Sequence, residues 1–354
     1  MHMADALMSP AVAGTMYVCS GAAMCYSAKK VRELEQPEKI PVMGVMGAFV
    51  FAAQMINFTV PGTGSSGHLC GGMLLSSVLG PEAGFLTMIG VLVIQCLLFA
   101  DGGLLALGAN IWNMAFYGCF FGGLVIWKLM MKNGMSRRKI FAASIAGCVL
   151  SLQLGAFSVT LETLASGITQ LPFGLFLAAM QPIHLAIGLV EGLITAAVLV
   201  FLYEVRPSVL WGSHGGARGP GRLAEEAEPQ WSGRRPVAAG DRFSLRQTIA
   251  TLAVSALAIG GLLSLAASAS PDGLEWSLER VAGTAELDAA GGIYEAAANV
   301  QEVTAVLPDY GFAGGGTALG TSCSGILGGI AVIAVCVACC YALRLFKNKR
   351  NRPQ

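Results

Sequence analysis

Nine stretches of this chain are apolar and almost free of charge: residues 10–28, 41–60, 69–79, 82–100, 107–128, 140–165, 172–203, 247–268 and 319–343. A helix needs about 20 apolar residues to cross a hydrocarbon layer, and inside that layer its backbone must satisfy its own hydrogen bonds. Several of the stretches reach that length. The composition agrees: 55% of the 354 residues are hydrophobic and only 12% are charged, where a soluble domain carries about twice that charge. The expected fold is therefore an all-α membrane protein, a polytopic bundle of about seven helices followed by two more near the C-terminus. Basic and acidic residues nearly cancel, 22 against 21, so no general basic surface offers itself to nucleic acid.

Lysine and arginine mark the cytoplasmic side of membrane proteins. Here they cluster at 29–32, 128–139, 206–246 and 344–352, while the loops at 61–68, 101–106, 166–171 and 269–318 nearly lack them. Threading nine spans through these marks puts the N-terminus outside and the C-terminus in the cytoplasm, in the cell membrane of a prokaryote. The opening "MHMADALMSP" has no leading base and no apolar core before Pro10, so it is not read as a cleavable signal.

One span is too short. Residues 69–79 make about 16 Å of helix against a hydrocarbon core of about 30 Å. The preceding loop, "TVPGTGSSGH", is expected to dip into the protein to meet it, because irregular backbone at membrane depth must be covered by protein or line a cavity. That loop carries Ser65 and Ser66 and ends in His68. Two of the four histidines, His2 and His68, thus fall on the outer side.

A histidine in second position brings three nitrogens together: the terminal amine of Met1, the amide of His2 once deprotonated, and the His2 imidazole. They close a five- and a six-membered chelate ring around one ion, and His68 can fill the fourth place. Four nitrogens in a plane suit Ni(II) or Cu(II) better than zinc or magnesium, and Co(II) also accepts imidazole. The alternative is a solvated terminal histidine.

The ten cysteines lie mostly inside the apolar stretches and are read as buried small hydrophobes. The run "CVACC" has CxxC spacing (Cys336 and Cys339) but no second pair.

The blocks "MHMADALMSP", "VPGTGSSGHLCGG", "FADGGLLALGANIWNMAF" and "HLAIGLVEGLIT" resemble the substrate-binding membrane subunit of nickel and cobalt transporters of the energy-coupling factor type, the CbiM/NikM family, over roughly residues 1–204. The resemblance implies seven helices in that part and metal ligands Met1, His2 and His68. It implies Ni(II) rather than Co(II) as cargo, because Leu69 and Asp101 stand where the cobalt branch tends to have a proline and a histidine. "SPDGLEWSLE" (270–279) and "LPDYGF" (307–312) are similar to the small two-helix accessory subunit of nickel transporters, here fused. The expected organisation is then a metal-binding domain at 1–204, a flexible cytoplasmic linker at 205–246 containing His214, and an accessory module at 247–346. The sequence contains no GxxxxGK[ST] for ATP, so the implied partners are a transmembrane coupling subunit and two cytoplasmic ATPases, besides membrane lipid. No permanent cofactor is expected, and the chain is not expected to be an enzyme.

The remaining polar residues at membrane depth are candidates for function. Asp101 either orients a ligand imidazole or caps the span beginning near 107. His184 and Glu191 share a helix face; Glu162 is a further buried acid. Gln54 with Asn57, and Asn110 with Asn113, line the cavity or lock loops. Cys70 offers a thiolate or packs. The outer segment 269–318 holds eight acids, Asp272, Glu275, Glu279, Glu286, Asp288, Glu295, Glu302 and Asp309, against one base, Arg280. That charge either concentrates cations at an entrance or belongs to a solvated loop. Competing readings are a cobalt importer serving cobalamin synthesis, an intramembrane metalloenzyme, which lacks the expected HExxH, and a membrane metal sensor, which lacks a cytoplasmic signalling domain.

Overall fold

The computed structural model describes residues 1–34, 39–213, 241–285, 287, 289, 291–312 and 318–350. Most of the expected linker, with His214, lies outside the described residues, as do Glu286 and Asp288. Each of the nine apolar stretches contains a helix: α1 Pro10–Leu34, α2 Lys39–Gln54, α3 Gly72–Leu79, α4 Pro81–Phe99, α5 Leu107–Met131, α6 Arg137–Ser166, α7 Phe173–Val205, α8 Leu245–Gly261 and, last in the chain, α11 Ala318–Arg350. Two shorter helices lie between the last pair, α9 Gly273–Ala282 and α10 Gly292–Thr304. The chain is an all-α membrane protein.

The helix count departs from the expectation of seven plus two. By length and composition five described helices can cross a membrane: α4, α5, α6, α7 and residues Leu319–Ala342 of α11. Helices α2 and α8 are apolar but only 16 and 17 residues long, and α1 is long without being among the five. The stretch 41–60 also stops being helical at Gln54. Phe58–Val60 (β1) and Ser65–Gly67 (β2) form a small antiparallel hairpin, with Thr59 opposite Ser66. The loop expected to dip into the protein is this hairpin; Gly62 and Gly64 at its tip have φ of 78° and 79°, a conformation that glycine adopts without steric cost. Segment 269–318, for which a solvated loop was one of two readings, contains α9 and α10. These were missed because neither carries a long apolar run; α9 is set instead by its capping box. The Asp272 side chain accepts from Leu274 N and Glu275 N, and Glu275 returns a bond to Asp272 N, which satisfies orphan donors at the helix start.

Close approach by glycines decides the packing. The whole of α3 is buried, and a Cβ on Gly72 would lie 2.9 Å from the Gly118 Cα of α5. Helices α6 and α7 meet the same way: a Cβ on Gly188 or Gly192 would strike the backbone of Val149 or Ile145 at 2.9 and 2.8 Å. Helix α11 packs on α2, with Gly328 over the ring of Phe51 and Val332 against Gly47, so the C-terminal part rests on the front of the chain. The outward row Leu185, Leu189 and Leu193 on α7 is exposed, as a lipid-facing stripe requires. Gly118→Val is expected to lower the thermal unfolding midpoint of detergent-solubilised protein, a cost of about 1–3 kcal/mol for overpacking. Gly14→Ala, with nothing within 4 Å of its new methyl, is expected to leave the midpoint unchanged.

Candidate metal centre

The first eight residues are drawn into the protein. Met1, Met3, Leu7 and Met8 are all buried. Asn110, on α5, holds this segment by both edges: its Oδ1 accepts from Met3 N at 2.7 Å and its Nδ2 donates to Met3 O at 3.2 Å. Gly103 N also donates to Met3 O, at 2.9 Å. Asp5 Oδ1 accepts from Ala106 N at 2.9 Å, and a Cβ on Gly103 would collide with Asp5. Asp5 thus takes an amide at the start of α5. Asp101 does not cap that helix, contrary to one of its two expected roles; the N-cap position is Ala106.

This docking brings Met1, His2 and His68 to one place. The Met1 amine lies 3.1 Å from His68 Nε2. The rings of His2 and His68 are stacked, with centroids 5.5 Å apart. His68 Nδ1 is 3.0 Å from Leu69 O; an N–H there donates to the carbonyl and leaves the Nε2 lone pair facing the amine. The β-hairpin that ends at His68 and the burial of α3 behind it fix this ring.

A relay of amides fixes His2. Its Nε2 is 3.2 Å from Gln95 Oε1, Gln95 Nε2 donates to Gln54 Oε1 at 2.9 Å, and Gln54 Nε2 donates to Cys70 O at 2.8 Å. Because Gln95 Oε1 only accepts, the His2 hydrogen belongs on Nε2 and the Nδ1 lone pair is free. That Nδ1 sits 3.1 Å from Asp101 Oδ1, two acceptors face to face, an arrangement that a cation relieves. Burial holds the His2 imidazole below its ordinary 6.5, against the pull of Asp101. Burial, the Met1 ammonium and His2 bring His68 down to about 4. Both rings are therefore neutral near pH 7, the state in which imidazole binds metal.

The segment around Asp272 enters the same place. The Met1 ammonium donates to Asp272 Oδ2, which is also 4.0 Å from His68 Nε2. Burial works to lower the amine and to raise Asp272; their mutual attraction overrides it, so the amine lies above its usual value and the carboxylate well below its own. Tyr310, from "LPDYGF", donates to Asp101 Oδ2. A cavity of about 500 Å³ opens over His2, lined by Asp5, Asp101, Asp272, Glu275, Glu295 and Asp309 among others. Among the described residues no three His, Cys, Asp or Glu side chains gather as a metal cluster. The donor set exists only if the terminal amine and the His2 amide are counted.

Other expected residues lie elsewhere. Ser65 and Ser66 are buried and face the outer segment: Ser66 N and Oγ donate to Pro271 O and Ser270 O, each at 2.7 Å. Asn57 accepts Ser268 N on its carbonyl. The Cys70 thiol donates to Met114 O at 3.3 Å. Glu191 Oε1 takes Gly71 N at 2.9 Å, and Glu162 Oε2 takes Asn113 Nδ2 at 2.7 Å. His184 is buried, donates from Nδ1 to Met180 O, and borders a small cavity with Met1, His68 and Asp272. Sequence reasoning missed Gln95, and it met Asp272 and Tyr310 only inside the blocks "SPDGLEWSLE" and "LPDYGF" and, for Asp272, as one acid of eight, without placing either at the centre. Gln95 carried a signal, being an amide inside an otherwise apolar span.

A helical bundle with five described helices able to cross a membrane defines a multi-pass membrane protein. Residues 2–209 match the family described as the cobalt uptake substrate-specific transmembrane region, CbiM, and residues 246–345 match the PDGLE domain. The chain belongs to the CbiM family, in a form fused to a PDGLE part. It is 38% identical over 231 residues to a protein of Archaeoglobus fulgidus named as a fused nickel transport protein NikMN, covering 63% of this chain and 71% of that one. It is 30% identical over 217 residues to the cobalt transport protein CbiM of Geobacter sulfurreducens, covering 59% and 61%. Among solved structures, the crystal structure of a truncated transition metal transporter superposes with a TM-score of 0.51 at 31% identity, over 57% of this chain and 98% of that one.

Asn110→Ala is expected to release residues 1–8. Two buried bonds and an orphaned Met3 amide are worth about 1–3 kcal/mol, read as faster amide hydrogen exchange at Met3 with exchange in α6 and α7 unchanged.

Proposed function

We propose that this chain is the substrate-capture subunit of an energy-coupling factor importer and that it takes up Ni(II) from the outer side at Met1, His2 and His68. The observation that carries the reading is the 3.1 Å approach of the terminal amine to His68 Nε2 beside the stacked His2 ring. The amine, the His2 amide and His2 Nδ1 supply three donors in adjacent chelate rings, and His68 Nε2 supplies the fourth. The amine and the amide each release a proton when the ion binds. Gln95 orients His2 as the outer partner of a metal ligand does, by accepting its Nε2 hydrogen, while Asp101 faces Nδ1 at 3.1 Å, on the ion's side of the ring. The geometry requires a free amine on Met1.

The acidic cavity over His2 is the entrance, where carboxylates raise the local cation concentration. In this reading the N-terminus and the segment 269–318 face outward, and residues 205–246 and the tail face the cytoplasm of a prokaryote. The metal-binding domain is 1–204 and the accessory module 247–346. Uptake against a gradient is driven by a transmembrane coupling subunit and two ATPases. The relative named for nickel supports Ni(II) as cargo; the cobalt relative and the family description support Co(II) as the second reading.

The test titrates purified full-length chain with Ni(II) and, separately, Co(II) while recording absorption. A yellow, square-planar Ni(II) band at one ion per chain is expected. Loss of that band in His2→Ala, in His68→Ala and on inserting one residue between Met1 and His2 is expected in the same series. Tighter Co(II) than Ni(II) binding would move the assignment to the second reading. Variants that bind like the parent would remove the amino terminus from the site. The association rate is further expected to fall, by roughly tenfold, between low salt and about 0.5 M salt, where the acidic field is screened.

A further inference from the structure

The centre lies in one part of the chain, but a charge it needs comes from the other. This inference rests on the reading of Met1, His2 and His68 as the metal site. Met1 is only 6% exposed, and a charge on so buried a residue needs a partner close by. The buried acids of the first 204 residues are turned elsewhere, Glu191 to the Gly71 amide and Glu162 to Asn113. Asp101 faces the His2 ring rather than the amine and is a quarter exposed. The carboxylate on the amine is Asp272.

Four features deliver it there. Oδ1 is occupied as the cap of α9, accepting Leu274 N and Glu275 N at 2.7 and 2.9 Å, so only Oδ2 turns to the centre. The two preceding residues are tied to the hairpin that carries His68, through Ser66. Trp276 Nε1 donates to Thr63 O of the same hairpin at 2.9 Å. Gly273 lies so close to His184 and Ile187 that a Cβ would meet them at 3.1 and 2.8 Å. The Pro-Asp-Gly turn is thus built to a fit that any larger residue at 273 spoils.

We propose that Asp272 is the fixed counter-charge of the metal centre, supplied by the accessory module and acting without being a ligand. The sign follows from position. Asp272 Oδ2 contacts the Met1 amine and lies 4.0 Å from His68 Nε2, and those two nitrogens are 3.1 Å apart. An ion held by both nitrogens has this fixed carboxylate as its close buried neighbour, and opposite charges at that range attract strongly out of water. The module therefore raises affinity rather than merely blocking the site.

The experiment is Ni(II) titration of the full chain in detergent, comparing the parent with Asp272→Asn and Gly273→Val. Asparagine has the shape of aspartate and is as good an N-cap, so α9 keeps its start and only the charge is removed. Asp272→Asn is expected to bind Ni(II) about tenfold more weakly, with the absorption band of the saturated protein at the parent's wavelength. Gly273→Val keeps the carboxylate but not the room for its turn, and is expected to lose affinity similarly. Parent-like affinity in either variant would overturn the inference. A shifted band in saturated Asp272→Asn would also overturn it, because Asp272 would then be a ligand. Absence of any Ni(II) band in the parent would instead count against the metal site itself.

Discussion

The Met1 ammonium is a charge held almost out of water, and the rest of the centre is arranged around that fact. Moving such an ion out of water costs several kcal/mol unless it is met by an opposite charge and by hydrogen bonds. Asp272 supplies the charge, and His68 Nε2 supplies an acceptor at 3.1 Å. To reach them, the amino-terminal segment must give up contact with solvent, and its buried backbone needs partners as well. Asn110 and Gly103 are those partners for Met3, and Asp5 in return accepts from Ala106 N. All three contacts fall in the stretch 101–110, so the loop before α5 is shaped by the amino terminus it receives, and Gly103 by the carboxylate of Asp5.

The same need for satisfaction explains the polar residues inside the bundle. An amide on α4 would be an expensive passenger in an apolar span. Gln95 is instead the middle of a relay from His2 to Gln54 to the Cys70 carbonyl. The relay ties the first histidine to the backbone two residues past the second. Glu191 holds the other side of that backbone through Gly71 N. The loop bearing His68 is therefore pinned from α2 and from α7, which fixes the ring that faces the amine. The ring's position is set by side chains that do not themselves touch the amine.

Much of the fold was legible because hydrocarbon filters sequence harshly. Nine apolar stretches gave nine helices, and the shortness of 69–79 marked the loop before α3 as one that dips into the protein. The boundaries were less legible. Phe58–Val60 is as apolar as the helix before it, and only its pairing with Ser65–Gly67, a contact between turns, makes it a strand. Helices α9 and α10 escaped because a soluble amphipathic helix of ten to thirteen residues leaves a weaker pattern than a membrane span. His2 and His68 stood out through scarcity and through the chelate chemistry of a second-position imidazole. Asp272 and Tyr310 did not, since each acts on a residue more than 200 positions away and periodicity carries no information at that range.

That separation gives the fusion a physical meaning. A counter-charge on a separate subunit has to be captured from solution or from the bilayer, and it leaves with its own off-rate. On the same chain it returns at an effective concentration set by the connection, on the order of millimolar for a short flexible linker. The module is also held by more than the centre. Helix α11 packs on α2, Tyr310 stacks on Phe99 with ring centroids 4.7 Å apart, and Gln301 donates to the carbonyls of Cys96 and Gly102. The contacts at Asp272 thus close a docking that is already paid for by apolar burial elsewhere. A carboxylate placed this way can stay charged and buried beside the Met1 ammonium without bearing the cost of holding the two parts of the chain together.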